Sequence, residues 1–103
     1  MSRAVEITTF KLTRGKTRSD FIAGNVDVDA WLRQQPGFQS RSIAQRADGT
    51  IVDTLFWGSV AQAESAMQRL MEELADSPVH GLIDQRTVNW TVAEIFHYVN
   101  NQR

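Results

Sequence analysis

The stretch Pro36 to Leu74, PGFQSRSIAQRADGTIVDTLFWGSVAQAESAMQRLMEEL, decides the fold. Pro36-Gly37 ends any helix that precedes it. Phe38 to Arg46 reads as a strand, Ala47-Asp48-Gly49 as a hairpin turn, and Thr50 to Trp57 as the returning strand. Ile51, Val52, Leu55, Phe56 and Trp57 make the second strand nearly continuous in apolar residues, which predicts a central strand buried on both faces. Gly58-Ser59 turns the chain. Ser59 can cap the helix that follows, with Gln62 at the capping-box position. Val60, Ala63, Met67, Leu70, Met71 and Leu74 then form the clearest helical stripe in the chain, opposite a polar side that includes Glu64, Gln68, Glu72 and Glu73. Such a helix packs on a sheet, and its methionines are expected to fill core gaps.

Working outward, Val5 to Leu12 reads as strand one, with Val5 and Ile7 on one face and Phe10 and Leu12 on the other. Thr13-Arg14-Gly15-Lys16 breaks it, and Thr17 or Ser19 can cap the next helix. From Asp20 the positions Phe21, Gly24, Val28, Trp31 and Leu32 follow one helical stripe, weakened in the middle by Gly24-Asn25-Val26. Beyond Leu74, Ser77-Pro78 stops the second helix, and Val79 to Ile83 reads as an irregular or short helical bridge. Thr87 to Val99 reads as a long fourth strand, apolar on both faces. The order is β-α-β-β-α-β. It predicts one α+β domain over residues 1–103, ferredoxin-like, an antiparallel sheet with two helices on one face. The apolar second face of strand four predicts a homodimer formed through the sheet faces.

A chain of 103 residues holds one domain with a modest core. Eleven basic and twelve acidic side chains leave a formal charge of −1, and the densest positive run, Arg14, Lys16, Arg18, is followed at once by Asp20. No nucleic-acid partner is expected from such a distribution. The absence of cysteine excludes disulfides, thiolate metal sites and cysteine nucleophiles. Met1 to Val5 enters a strand pattern without a signal-peptide core, and no apolar run reaches membrane-spanning length. A cytoplasmic protein without a membrane partner is the expectation.

The β-α-β-β-α-β order, the Pro36-Gly37-Phe38 entry to strand two, the run Asp48-Gly49-Thr50-Ile51-Val52-Asp53, and Trp57 followed by Ser59, Ala61, Ala63 and Ala66 resemble the dimeric α+β barrel superfamily. Within it the chain is similar to antibiotic biosynthesis monooxygenase-like proteins, over nearly its whole length. The resemblance implies two ferredoxin-like monomers whose sheets close into a barrel with the helices outside. Some such relatives oxidise aromatic polyketides with molecular oxygen and no metal or flavin. Others degrade haem, isomerise lactones or have no assigned activity, so the fold does not choose among them. Haem degraders carry an asparagine on strand one, a tryptophan on helix two and a histidine just after it. Here strand one offers Thr8 and Thr9, helix two offers Ala66 and Met67, and only His80 fits the pattern, which disfavours haem cleavage.

The expected activity is therefore a cofactor-independent, monooxygenase-like oxidation of a small aromatic or apolar molecule. The alternative is a non-catalytic ligand-binding or dimeric interaction module. His80, beside Gly81, is a candidate base or hydrogen-bond donor at the mouth of a helix–sheet pocket, against the plainer reading of a surface loop histidine. Asp53 must find a partner or face water on so apolar a strand; it can position a substrate hydroxyl or pair with Arg41 or Arg46. Trp57, Trp31, Trp90 and Tyr98 are candidate walls for a flat ligand or else core aromatics, and Glu94 is a candidate substrate-binding carboxylate or a partner in a cross-dimer ion pair. His97 reads as a packed strand residue. No metal pattern, phosphate loop or Ser-His-Asp arrangement is present, and no cofactor is expected. A pocket onto which His80, Asp53 and Glu94 converge favours the enzyme; a layer filled with side chains favours the module.

Overall fold

The structure is a computed structural model that describes residues 2–101. Strand β1 is Ala4–Leu12, helices α1 and α2 are Arg18–Gly24 and Val26–Leu32, and strands β2 and β3 are Phe38–Gln45 and Ile51–Trp57. Helix α3 is Val60–Glu73, a 3₁₀ turn spans Pro78–Leu82, and strand β4 is Ile83–Glu94. The strands form one antiparallel sheet in the order β2-β3-β1-β4. That is the ferredoxin-like arrangement the sequence predicts.

Register decides which side chains face the helices. Ala4 pairs with Trp57, Glu6 with Leu55, Thr8 with Asp53 and Phe10 with Ile51. On the other side of β1, Glu6 pairs with Val92 and Thr8 with Trp90. Alternation along each strand puts all of these on one face. The core lies between that face and the helices and includes Phe10, Phe21, Leu55, Trp57 and Ala66. Phe10 and Phe21 meet with ring centroids 5.4 Å apart and fasten α1 to the sheet. Each large apolar side chain buried in this way contributes roughly 1.5–3 kcal/mol.

Helix capping follows the sequence closely. Thr17, not Ser19, caps α1 and forms a reciprocal box with Asp20. Ser59 accepts the Gln62 amide N–H at 3.1 Å. Gln62 does not complete the box; its carboxamide lies over Gly37 and Gly58, where no Cβ is in the way.

Four expectations change. The first helix is broken at Asn25, whose backbone sits at φ −102°, ψ 3° and whose N–H reaches back only to Ile22. Its side-chain Nδ2 donates to the Phe21 carbonyl at 2.7 Å, a local bond that competes with the helical ladder. Strand four begins earlier than Thr87, at Ile83, because β1 extends to Leu12 and offers it a partner, across a bulge between Thr9 and Lys11. It ends at Glu94 rather than Val99. Glu94 lies opposite Ala4, the first residue of β1, and after Ile95 N–H donates to Arg3 O the neighbouring strand has run out. His97 therefore lies beyond the strand and is exposed, as are Phe96 and Val99. Finally, β3 is buried on one face only. Ile51, Asp53, Leu55 and Trp57 are covered by helices, whereas Val52, Thr54 and Phe56 are half-buried on the uncovered side. No helix among the described residues is long and apolar enough to cross a membrane.

Glycine occupies positive φ in three turns, at Gly15, Gly37 and Gly49. Gly37 has φ +83° and Gly49 φ +92°, a region that costs a residue with Cβ about 1–2 kcal/mol. At Gly49 a Cβ meets open space, while at Gly37 it also displaces the Gln62 carboxamide. Gly37→Ala is expected to lower the thermal unfolding midpoint more than Gly49→Ala does; equal losses would show that the Gln62 packing adds nothing.

Candidate functional site

Small residues set where α3 touches the sheet. Ala63 and Ala66 are fully buried and let the helix approach closely at the Trp57 end. Towards the other end the longer side chains of Met67, Leu70 and Met71 hold it off, and a cavity of about 420 Å³ opens between the helices, the 3₁₀ turn and the inner face of the sheet. That volume lies within the range of small-molecule sites. Its wall is mainly apolar, from Phe10, Phe21, Leu55 and the two methionines among others. Met67 and Met71 thus border the cavity, where the sequence suggested core gap-filling.

The polar part of the wall is compact. Arg41 grips Asp53 with two parallel hydrogen bonds, Nε to Oδ1 at 3.0 Å and Nη2 to Oδ2 at 2.7 Å. Its Nη1 donates to Asp29 Oδ1 at 2.8 Å. Burial works against the guanidinium charge, but the bonds and charges of Asp53 and Asp29 outweigh it and hold the Arg41 pKa above its usual value. Of the two arginines considered as partners for Asp53, the register selects Arg41.

Beside this pair stands Glu6, only 4% exposed. One of its oxygens accepts the Trp57 indole N–H at 2.7 Å, and the other accepts the Trp90 indole N–H at 2.6 Å. Burial pushes the Glu6 pKa up, and the nearby Asp53 adds to the rise; the two indole bonds and Arg41 oppose it without cancelling it. Asn25, at the helix break, forms another part of the wall and is 1% exposed. Among the described residues its Oδ1 has no hydrogen-bond partner. The Phe21 carbonyl can only accept, so it holds Nδ2 and fixes which end of the amide stays unpartnered.

His80 is half-buried on the 3₁₀ turn and lines the cavity. Its Nε2 lies 2.8 Å from the Leu74 carbonyl oxygen. A carbonyl accepts only, so Nε2 donates to it, and in the neutral tautomer this leaves Nδ1 as the acceptor.

Of the residues singled out in the sequence, His80, Asp53 and Trp90 come together around the cavity. Trp57 is buried behind it, edge-on to Phe38 with centroids 5.5 Å apart, and reaches the site through Glu6. The other three stand elsewhere. Trp31 is half-buried, packs against the core beside Leu55 and Trp57, and donates its indole N–H to Glu73 at 2.9 Å, away from the main cavity. Glu94 is exposed at the end of β4. Tyr98 lies past the strand with the Arg3 guanidinium 4.6 Å from its ring centre. Glu6 and Asn25 had not been recognised as site residues. Glu6 carried a signal, since a glutamate between Val5 and Ile7 shares the inward face with Phe10; Asn25 showed only as a weak point in a helix. Among the described residues no three His, Asp or Glu side chains are grouped to hold a metal ion.

No family model matches the sequence, and no curated protein does. Solved structures do. A variant form of SnoaB, a cofactor-independent oxygenase from Streptomyces nogalater, superposes with a TM-score of 0.74 at 12% identity, over 98% of this chain and 100% of the other. A candidate antibiotic biosynthesis monooxygenase from Chloroflexus aurantiacus gives 0.68 at 19% identity, over 96% and 98%. The ActVA-Orf6 monooxygenase of Streptomyces coelicolor, solved with the ligand nanaomycin D, gives 0.64 at 21% identity, over 98% and 94%. The fold is that of antibiotic biosynthesis monooxygenase-like proteins. At these identities the likeness to monooxygenase structures extends to the backbone and carries no residue roles across.

The raised Glu6 pKa has a defined consequence. Between its ordinary value of 4.5 and the higher native value, the folded protein holds a proton that the unfolded chain has released. The stability this contributes is complete below 4.5 and is lost as pH rises through the native value. Urea unfolding of the unaltered protein and Glu6→Gln across that window should show the stability difference shifting against the unaltered protein as pH rises. A difference that does not vary with pH would mean that Glu6 titrates as an ordinary surface carboxylate.

Proposed function

We propose that this protein is a small, cofactor-independent oxygenase that acts on an aromatic or other apolar molecule in the cavity between helices and sheet. The observation that carries the reading is the cavity itself, with an apolar wall and a few convergent polar groups that include His80 and Asp53. The likeness in fold to SnoaB and to the ActVA-Orf6 monooxygenase supports it.

In this reading the substrate lies against Trp90 and the apolar wall. The Arg41-bound carboxylate of Asp53 positions a substrate hydroxyl. In its neutral form, Nδ1 of His80 takes a proton from an activated CH₂ carbon of the substrate, which leaves a carbanion delocalised over the hydroxyl-bearing ring system. The substrate anion then gives one electron to dioxygen. The resulting superoxide and substrate radical combine at that carbon, which now bears one hydrogen, and the proton held by His80 completes the hydroperoxide. Loss of the remaining C–H proton with cleavage of the O–O bond leaves a carbonyl and releases water. One oxygen atom enters the product and the other leaves as water, so the substrate supplies all four electrons. Trp57 acts through Glu6 as a positioning residue. Trp31, Glu94 and Tyr98 have no part in the chemistry.

The working unit is a homodimer. Val52 and Phe56 on the uncovered face of β3, and Phe96 and Val99 beyond β4, form apolar surface that the helices of one chain do not reach. A cytoplasmic location fits a protein of this kind. The second reading, a non-catalytic binding module, is favoured by one feature: the Asp53 charge is already satisfied by Arg41.

Oxygen uptake with a panel of polycyclic phenols that carry an activated CH₂ group tests the chemistry. His80→Ala is expected to reduce turnover by about 10²-fold or more while the thermal midpoint stays near that of the unaltered protein. Full activity in that variant sinks the role of His80, and binding of phenols without any oxygen uptake leaves the binding module. Light scattering at micromolar concentration should give twice the 11.7 kDa chain mass; a clean monomer removes the dimer.

A further inference from the structure

The chain has three tryptophans, and each donates its indole N–H to a glutamate. Trp90 borders the main cavity and bonds one oxygen of Glu6 at 2.6 Å. Trp57, buried behind it, bonds the other oxygen of the same carboxylate at 2.7 Å. Trp31 borders the same small void of about 20 Å³ as Trp57 and Glu6, and its N–H goes to Glu73 at 2.9 Å. Glu73 ends α3 and is exposed. The three indoles thus run in a line from the cavity, through the core, to the surface. A buried indole N–H needs a partner, but a backbone carbonyl would satisfy it equally well. An ionised carboxylate differs in one respect: it can take the proton outright. An indole that has lost one electron is a strong N–H acid, so a carboxylate on that nitrogen makes the oxidation easier. Burial raises the proton affinity of Glu6 further.

We propose that Trp90, Trp57 and Trp31 form a relay that carries a one-electron oxidising equivalent from the cavity to the surface, with Glu6 and Glu73 holding the indole protons. Trp90 gives one electron to an oxidising radical or excited molecule in the cavity, and its N–H proton passes to Glu6. Trp57 then reduces Trp90, which recovers the proton from Glu6 while Trp57 hands its own to the other oxygen. Trp31 reduces Trp57 in turn; Trp57 takes its proton back from Glu6, and the Trp31 proton goes to Glu73. A soluble one-electron reductant of the ascorbate kind restores Trp31, and Glu73 returns the proton. Charge is better tolerated at that end, where water screens it, than in the core. The relay goes beyond the oxygenase reading and lies outside its turnover. It needs an oxidising equivalent in the cavity and no particular substrate; a radical that escapes a failed oxygenation is one source.

Benzophenone, an apolar aromatic ketone, can be excited at wavelengths that tryptophan does not absorb and then takes one electron from an indole. The purified protein is irradiated with benzophenone in air, and oxidised tryptophans are located by peptide mass spectrometry. Most of the oxidation is expected at Trp31 and little at Trp90. In Trp31→Phe the oxidation should shift to Trp57 and Trp90. Trp57→Phe, which interrupts the line and leaves both ends, should shift it from Trp31 to Trp90; where that variant fails to fold, Trp31→Phe decides. Oxidation concentrated at Trp90 in the unaltered protein overturns the relay, as does an absence of tryptophan oxidation. Loss of the Trp31 product in Trp31→Phe with no gain at Trp57 or Trp90 overturns it too, because it marks direct attack from solution. So does unchanged Trp31 oxidation in folded Trp57→Phe. No turnover is involved, so these outcomes leave the oxygenase standing, and phenols that give no oxygen uptake leave the relay standing.

Discussion

The buried guanidinium of Arg41 is the joint around which the site is arranged. It lies on β2, clasps Asp53 on the neighbouring β3 with two bonds, and reaches Asp29 on α2 with a third. One side chain thereby ties two strands and a helix together beside the cavity. The side chains of Arg41 and Asp53 are each about 10% exposed, so their charges are largely removed from water. Removing one partner of such a pair costs about 3–5 kcal/mol, because the other charge is left buried and alone, whereas replacing both by apolar groups is often harmless. The pair is therefore poorly explained as a stabilising device. It makes better sense as a means of holding charge and acceptors in a place where an apolar core alone would close up.

Glu6 shows the same logic on the neighbouring strand β1. A carboxylate between Val5 and Ile7 points inward because alternation leaves it no other choice, and burial there penalises its charge. Two indoles answer that penalty in part. Trp57 comes from β3 and Trp90 from β4, the two neighbours of β1, so Glu6 fixes both tryptophans at once. Trp57 closes the packed end of the layer, and Trp90 faces the open end. The change from close packing at Ala63 and Ala66 to open space at Met67 and Met71 happens within about one turn of α3, directly above this glutamate.

A shared backbone with oxygenases of very different sequence fits this division of labour. Ferredoxin-like architecture demands apolar alternation, turns and one layer of helices on a single face of the sheet, and many sequences supply these. What gives this chain its own character is the acidic, acceptor-rich floor. Among the polar side chains of that wall are Glu6, Asn25, Arg41, Asp53 and His80.

Local physics made much of the architecture legible. Pro36-Gly37 and Asp48-Gly49 placed the turns because glycine alone enters positive φ cheaply, and both positions have it. Ser59 and Thr17 placed the helix starts because their hydroxyls satisfy amides that the helix leaves open. The period of the stripe from Val60 to Leu70 placed α3 on the sheet. The limits of β4 were misread because a strand lasts only as long as its neighbour, and that neighbour, β1, is some eighty residues away in sequence. The site was partly legible for the same reason. Asp53, His80 and Trp90 stood out by residue type on apolar elements, and the sequence by itself determined that inward carboxylates and aromatics would share one face. Which of them meet was decided by tertiary structure alone. Glu6 finds Trp57 and Trp90, and Asp53 finds Arg41 rather than Arg46, through strand register, and a slip of one residue would turn every one of these side chains to the opposite face.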